Sequence, residues 1–478
     1  MKLSELLVGI KVEGKYKDVR VSDITDDTRK VKKGSVFVCI KGANFDGHSA
    51  AEQMLKQGAA AVICEHSLGL KKEVVVENTR SAYAVMCANF FGNPAKKLKL
   101  IGLTGTNGKT SSTYFIKSLF ELFGIKMGLI GTMQNMIGKE VFPAKYTTPT
   151  AYELQELFAK MVDAGCEYCV MEVSSQALAQ GRVDGLHFAI AVFTNLTQDH
   201  LDFHGTMENY AAAKKILFER CDTAVINLDD AAAAFMVEGL PCKVVSYSAK
   251  DNSADFVAKN IVLGARGITY ELLGNEVIGR LKCPVPGSFT VYNTLCAAAV
   301  AVTAGLDFKT VLSAFSSVKG VKGRIEVVPT DTDYTVIIDY AHSPDGIKNI
   351  LNSVKEFAEG RVIIVFGCGG DRDSSKRPKM ADAAASLADY VVLTSDNPRT
   401  EDPEKIVADA AQGLKGHKVE QSIIVDRTQA IKYAMGIAKK GDVIILAGKG
   451  HETYQIIGTE KRHYDEREIV KGILAGEI

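Results

Sequence analysis

Glycines, a lysine and hydroxyl side chains crowd one short stretch: Ile101 to Thr113 reads I-G-L-T-G-T-N-G-K-T-S-S-T. An apolar run, Lys99 to Leu103, leads into it, and the helix-compatible run Tyr114 to Phe123 follows. A strand, a glycine turn and Lys-Thr opening a helix is the layout of a phosphate-binding loop. Gly105 and Gly108 let the backbone approach phosphate oxygens with no side chain in the way. Amides at the helix start point at the anion, and the helix dipole favours negative charge there. Lys109 can reach terminal phosphates, and the Thr110 hydroxyl can ligate Mg²⁺. The pattern departs from a full Walker A sequence, because Leu103 stands where that pattern has its first glycine. A simple tight turn needs one glycine and no lysine, so nucleotide binding is the better reading. The reaction it drives stays open at this point.

Further polar groups gather where strands end. The strand Tyr168 to Val173 runs into E-V-S-S-Q, Glu172 to Gln176. A carboxylate at the carboxyl end of a parallel strand is where α/β sheets place ligands, which makes Glu172 a Mg²⁺ candidate. The plain alternative, a strand-end residue facing water, is weakened by the polar cluster Ser174, Ser175, Gln176, Gln180 and Arg182. The strand Ala189 to Phe193 leads into T-N-L-T-Q-D-H-L-D-F-H-G, Thr194 to Gly205. That loop reads as a metal or acid–base site, or as a helix start capped by Asp199 or Asp202. Helix Met207 to Arg220 carries Lys214 and Lys215, which by themselves read as surface lysines. K-Y-T-T-P-T, Lys145 to Thr150, offers hydroxyls to an anionic or sugar ligand. Upstream, D-D-T-R (Asp26 to Arg29) and G-A-N-F-D-G-H (Gly42 to His48) read equally as ligand-contact loops or solvated turns.

In the last third every polar cluster sits just after a strand. Thr335 to Asp339 precedes Y-A-H-S-P-D, and Arg361 to Asp373 ends in G-C-G-G-D-R-D. Tyr390 to Thr394 precedes S-D-N-P-R-T-E-D-P, and Asp442 to Glu452 ends in A-G-K-G-H-E. Such clusters share one edge of a parallel sheet and face one cleft.

The elements that must hold these groups fill 478 residues, too many for one core. Strands alternate with helices throughout, which predicts α/β architecture with mainly parallel strands. Three domains are expected: a small α/β domain over residues 1–93, a central P-loop-type domain over 94–322 and a Rossmann-like domain over 323–478. Gly92-Asn93-Pro94 and the V-K-G-V-K-G-R run from Val318 to Arg324 are the predicted linkers. G-A-R-G-I-T-Y-E-L reads as a hairpin. Lys+Arg and Asp+Glu both number 57, so no global field draws nucleic acid. The ten scattered cysteines do not suit a disulfide scaffold, and Cys166 and Cys169 read as small buried residues. The N-terminus lacks a signal-peptide pattern and no apolar run is long enough to span a membrane, so the cytoplasm is the expected compartment.

Taken together, T-G-T-N-G-K-T, M-E-V-S-S, T-N-L-x-x-D-H-L-D, the Asn293 helix, G-R-I-E, D-Y-A-H and D-N-P-R resemble the Mur ligases, the ATP-dependent amide ligases of peptidoglycan precursor synthesis. The motifs fall in the family's order over nearly the whole chain. The resemblance is closest to the branch that adds a third amino acid to UDP-N-acetylmuramoyl-L-alanyl-D-glutamate, and D-N-P-R is the pattern associated with meso-2,6-diaminopimelate as that amino acid. It implies ATP contacts at Gly105, Thr106, Asn107, Gly108, Lys109, Thr110, Ser111, Asn293 and Arg324. It implies Mg²⁺ sites at Thr110, Glu172, His200 and a carbamylated Lys214, with Lys109, Lys214, Asp339 and His342 in catalytic roles near the nucleotide. Thr28, Thr147, Thr148, Ser174, Gln180 and Arg182 would hold the UDP-sugar peptide. Arg372, Asp396, Asn397, Pro398, Arg399, Gly448 and Glu452 would meet the amino acid. Thr28 stands where serine is common in the family, and Tyr146 and Gln176 where asparagine and histidine are. A monomer with no nucleic-acid or membrane partner is expected. The rivals are the lysine-adding enzyme of the same branch and a nucleotide-binding regulator without ligase activity. The plain reading of Arg399 is a salt bridge to Glu401 or Asp402.

Overall fold

The computed structural model describes residues 1–478 except Ala43, Asn44 and Asn275. Ala43 and Asn44 belong to the Gly42 to His48 loop, so that part of the ligand-contact expectation lies outside the described residues. The chain forms two compact units, residues 1–256 with 296–306 and residues 257–295 with 307–478.

The first unit holds two sheets. In the smaller, the strand order is Val12–Glu13, Glu73–Val76, Ala61–Cys64, Ser35–Val38, Asp23–Thr25, parallel apart from the first. Ser35–Val38 and Ala61–Cys64 are buried throughout, as β-branched and small residues on a doubly covered sheet should be. In the larger sheet, Lys99–Thr104 runs between Tyr168–Glu172 and Phe188–Phe193, parallel to both. Met127–Ile130 continues the parallel order on one side, and Cys221–Asn227 and Lys243–Ser248 on the other. Helix Ala151–Asp163 opens on a capping box between Thr150 and Glu153 and buries Leu154, Phe158 and Met161 against Cys169 and Met171. Cys166 and Cys169 are buried thiols, as read. The helix from Met207 is shorter than its sequence suggests: it stops at Lys215, and a 3₁₀ turn takes Phe218–Arg220.

The second unit contains, from Val257 on, the expected hairpin of strands Phe256–Gly264 and Gly267–Gly274, extended by Val277–Cys283. Its main sheet has the order Glu326–Val328, Thr335–Asp339, Val443–Ala447, Val362–Cys368, Tyr390–Ser395, Glu420–Ile423, parallel after the first strand. Its four inner strands are buried along their length, with helices Pro344–Lys355 and Lys376–Leu387 on one face and Arg427–Ile437 on the other. The Val318 to Arg324 segment packs inside this unit, with Val318 and Val321 buried. Among the described residues no helix is long and apolar enough to cross a membrane.

Candidate functional site

In the first unit the glycine loop joins strand Lys99–Thr104 to helix Lys109–Leu122. Gly108 caps the helix at φ 84°, a left-handed conformation. Gly105 has no room for a side chain, since a Cβ there would lie 1.9 Å from the Thr194 hydroxyl. Asn195 completes the cradle: its Oδ1 accepts from the Asn107 amide at 2.9 Å, and its carbonyl accepts from the Thr106 amide at 2.8 Å. The Lys109 ammonium donates to the carbonyls of Gly105 and Thr106 at 2.7 and 2.9 Å. Burial lowers its pKa, against the opposing pull of Glu172 and Asp199.

Glu172, 1% exposed, receives hydrogen bonds from the Thr110 hydroxyl at 3.0 Å to each oxygen, from the Thr132 amide at 2.9 Å and from the Thr132 hydroxyl at 3.0 Å. The strand-end glutamate therefore points at the phosphate loop, not at water. Hydroxyl and carboxylate oxygens are the hard donors Mg²⁺ takes, so this pair fits that ion. Thr132 carries no motif, and only the fold brings it here.

Lys214 is 1% exposed, on helix Met207–Lys215, with its Nζ 4.2 Å over the Tyr210 ring. Its pKa falls from an ordinary 10.5 to about 6, first through burial and then through the charge of Lys109. This overturns the surface-lysine reading and leaves a neutral amine near pH 7. His200 and His204 lie against the same Tyr210 ring, at 6.1 and 5.0 Å. The helix start expected at Asp199 or Asp202 is made instead by His200 at φ 52°, with no side-chain cap. Asp199 turns back to accept from the His200 amide at 2.8 Å.

The hydroxyl cluster forms a continuous line. The Thr132 and Thr147 hydroxyl oxygens lie 3.0 Å apart, Thr148 donates to the Glu172 carbonyl at 2.9 Å, and the Ser174 amide donates to Thr148 at 3.0 Å. Arg182 is tied to the Thr148 carbonyl at 2.8 Å and to Gln180 at 2.7 Å. Gln180 and Arg182 line a cavity of about 170 Å³ together with Asp26, Arg80 and Thr150. Thr28 opens a 3₁₀ turn capped by Asp27 and lines a separate groove of about 450 Å³. Tyr146 is exposed, with the Arg182 guanidinium 5.3 Å over its ring.

In the second unit the strand-end clusters do meet at one cleft. A cavity of about 420 Å³ is lined by Tyr340, His342, Arg372, Asp396, Asn397, Arg399, Gly448 and Glu452, among others. Asp339 is buried and accepts from the amides of Ile325 and Ala341 at 2.9 and 2.8 Å, and burial raises its pKa. His342 is exposed, its Nδ1 2.7 Å from the Tyr340 carbonyl. Arg324 lies 5.8 Å from the Tyr340 ring, and Asn293 is buried on helix Ser288–Thr303.

Arg399 does not pair with Glu401 or Asp402. Its guanidinium donates to the Gly370 carbonyl at 2.7 Å, while Glu401 takes Arg377 at 2.8 Å. Its backbone sits at φ 52°, a conformation that costs a non-glycine residue about 1–2 kcal/mol. Pro398 is buried, and its carbonyl leaves no space for a Cβ on Gly370, which would come within 1.9 Å. Sequence reasoning missed Lys449. It is fully buried, with its ammonium 3.2 Å from Asn397 Oδ1, 3.4 Å from Glu452 and 3.5 Å from Asp396. A lysine between two glycines just after an apolar strand was the available signal.

Three family models match the chain: the Mur ligase family catalytic domain at residues 20–88, the Mur ligase middle domain at 103–301, and the Mur ligase glutamate ligase domain at 323–450. A protein of Caldanaerobacter subterraneus named UDP-N-acetylmuramoyl-L-alanyl-D-glutamate–2,6-diaminopimelate ligase is 48% identical, with 99% of each chain covered. One of the same name from Bacillus velezensis is 45% identical, with 98% of each covered. A solved structure of that name, 34% identical, superposes with a TM-score of 0.78 over 100% of this chain and 99% of its own. Likeness of this degree from end to end admits one assignment: the chain belongs to the Mur ligase family.

Proposed function

We propose that the protein is the ATP-dependent ligase that joins meso-2,6-diaminopimelate to UDP-N-acetylmuramoyl-L-alanyl-D-glutamate in peptidoglycan precursor synthesis. The observation that carries the reading is the full-length likeness to ligases of that name, in a chain whose Arg399 and Arg372 line one cavity with Glu452. The glutamyl carboxylate attacks the γ-phosphate of ATP, the bond to ADP breaks, and an acyl phosphate forms. The amine of diaminopimelate then attacks the acyl carbon and phosphate leaves. Such phosphoryl transfer depends on positioning and charge neutralisation more than on covalent help from the protein.

The phosphate loop supplies the positioning through its backbone amides and Lys109. Mg²⁺, when bound, would neutralise phosphate charge, and Thr110 and Glu172 are suited to hold it, with His200 and Lys214 as further ligands. A neutral Lys214 amine can attack CO₂: an N–C bond forms, a proton leaves, and the resulting carbamate offers oxygens where a cation would repel the metal. A charged ammonium ~4 Å from Mg²⁺ would be repelled by roughly 8 kcal/mol at an effective dielectric of about 20.

Diaminopimelate carries a distal carboxylate and ammonium. Arg399 and Arg372 suit the first and Glu452 the second. Lysine lacks that carboxylate and would leave the arginines unpaired, a loss that supports discrimination of about 10⁴-fold. The test is phosphate release with UDP-dipeptide, ATP and each amino acid in turn. Turnover with diaminopimelate is expected, and faster turnover with lysine would reassign the substrate.

A further inference from the structure

We propose that the antiparallel hairpin Tyr454–Ile457 and Glu460–His463 is a specificity clip for the amino-acid pocket, with Gln455 as its key positioning residue. The proposal deepens the reading above and rests on it for the identity of the amino acid.

The cavity wall is drawn from residues between Tyr340 and Glu452, so the hairpin is not itself part of it. Yet it grips three residues of the loop that carries D-N-P-R. Gln455 Nε2 donates to the Asp396 carbonyl at 2.6 Å, and the Ile456 amide donates to Asn397 Oδ1 at 2.9 Å. The Arg399 amide donates to the Ile456 carbonyl at 3.1 Å, and the Gly458 amide donates to the Arg399 carbonyl at 2.6 Å. Arg399 and Ile457 thereby form a parallel bridge.

The residue held most firmly is the one least at ease. Arg399 is neither glycine nor asparagine, yet it sits at φ 52°. Such a conformation persists only where its surroundings over-determine it. Both its backbone polar groups are bonded to the hairpin, and the same backbone sets its guanidinium at the cavity wall against the Gly370 carbonyl. The hairpin has little apolar burial of its own: its second strand is exposed along its length and its first is intermediate as far as the exposed Ile457. A two-stranded hairpin alone in water is marginal. Loop and hairpin therefore order each other through polar contacts. Loss of the Gln455 amide donor should therefore reach the far end of the substrate.

Gln455→Met keeps the length of the side chain and removes the donor, and Gln455→Glu sets an oxygen against the Asp396 carbonyl. Both should fold, since Gln455 is half-buried at an exposed hairpin. In steady-state assays each should raise KM for diaminopimelate by about tenfold, the scale of one net hydrogen bond, while kcat and KM for ATP hold. The preference for diaminopimelate over lysine should fall in step. In hydrogen exchange of the free protein, the amides of Arg399 and Gly458 should exchange faster in both variants than in the parent. Unchanged exchange at those amides overturns the clip whichever amino acid the parent prefers. So does a loss shared equally by diaminopimelate, lysine and ATP. A parent that prefers lysine overturns the functional reading alone, because the exchange measurement still decides the clip.

Discussion

The hydroxyl of Thr110 donates to both carboxylate oxygens of Glu172 at 3.0 Å, so the first residues of the phosphate-loop helix and the end of the neighbouring strand meet side chain to side chain. Strand Tyr168–Glu172 pairs in register with Lys99–Thr104, and that pairing carries the carboxylate to the loop. Glu172→Gln replaces one acceptor oxygen with an NH2 that must face the Thr110 hydroxyl together with either the Thr132 amide or the Thr132 hydroxyl. About 1–3 kcal/mol of stability should be lost to the unsatisfied group, read by thermal or denaturant unfolding. Phosphate release should fall by at least about 10²-fold and need more Mg²⁺ to reach half its maximum.

Lys214 links stability to pH in a defined direction. Its folded pKa, about 6, lies below its ordinary 10.5, so between these values the unfolded chain binds a proton that the folded chain does not. Stability therefore rises with pH across that window, in buffer stripped of CO₂. Lys214→Met should be more stable than the parent at pH 7, by a margin that shrinks towards pH 10. Admitting bicarbonate should stabilise the parent and leave the variant unmoved. Lys214→Ala should lose amide formation and recover part of it with added short carboxylic acids. Unchanged activity without rescue would favour the regulator.

Gly105→Ala should weaken nucleotide binding without touching any charged group. Its Cβ would collide with the Thr194 hydroxyl at 1.9 Å and press on the Asn195 backbone at 3.0 Å, at a φ of 147°. The loop must then leave Asn195. Titration calorimetry should show ATP affinity down by more than about tenfold, with a lowered Tm, since strain at a special φ and overpacking act together.

Arg399→Gly separates backbone from side chain. Glycine accepts φ 52° without strain, so the hairpin bridge should survive and Tm should stay close to the parent's. Lost with the guanidinium is the partner for the distal carboxylate. kcat/KM for diaminopimelate should fall by about 10²-fold or more, while that for lysine barely changes.

Much of this was legible in the chain's order of residues. The strand, turn and helix around Gly105 to Thr110 are written locally, because glycine placement and apolar runs act over a few residues. The shared cleft of Arg372, Asn397, Arg399 and Glu452 followed from parallel topology, which puts every post-strand loop on one edge. What escaped depends on distance along the chain. Thr132 reaches Glu172 only through the sheet, and Lys449 meets Asp396 and Glu452 only once the loop has folded. The left-handed Arg399 bridges Ile457, more than fifty residues later in the chain, and no local pattern announces that pairing. Lys214 needed the resemblance: its depressed basicity comes from packing that a helix sequence does not show.

The parallel sheet of the second unit keeps its inner strands sealed and lends the cavity little beyond their last residues. Taste and chassis are thereby divorced: a descendant could acquire a new dietary preference by redrafting a few rim positions, while the buried framework that makes it foldable is inherited untouched.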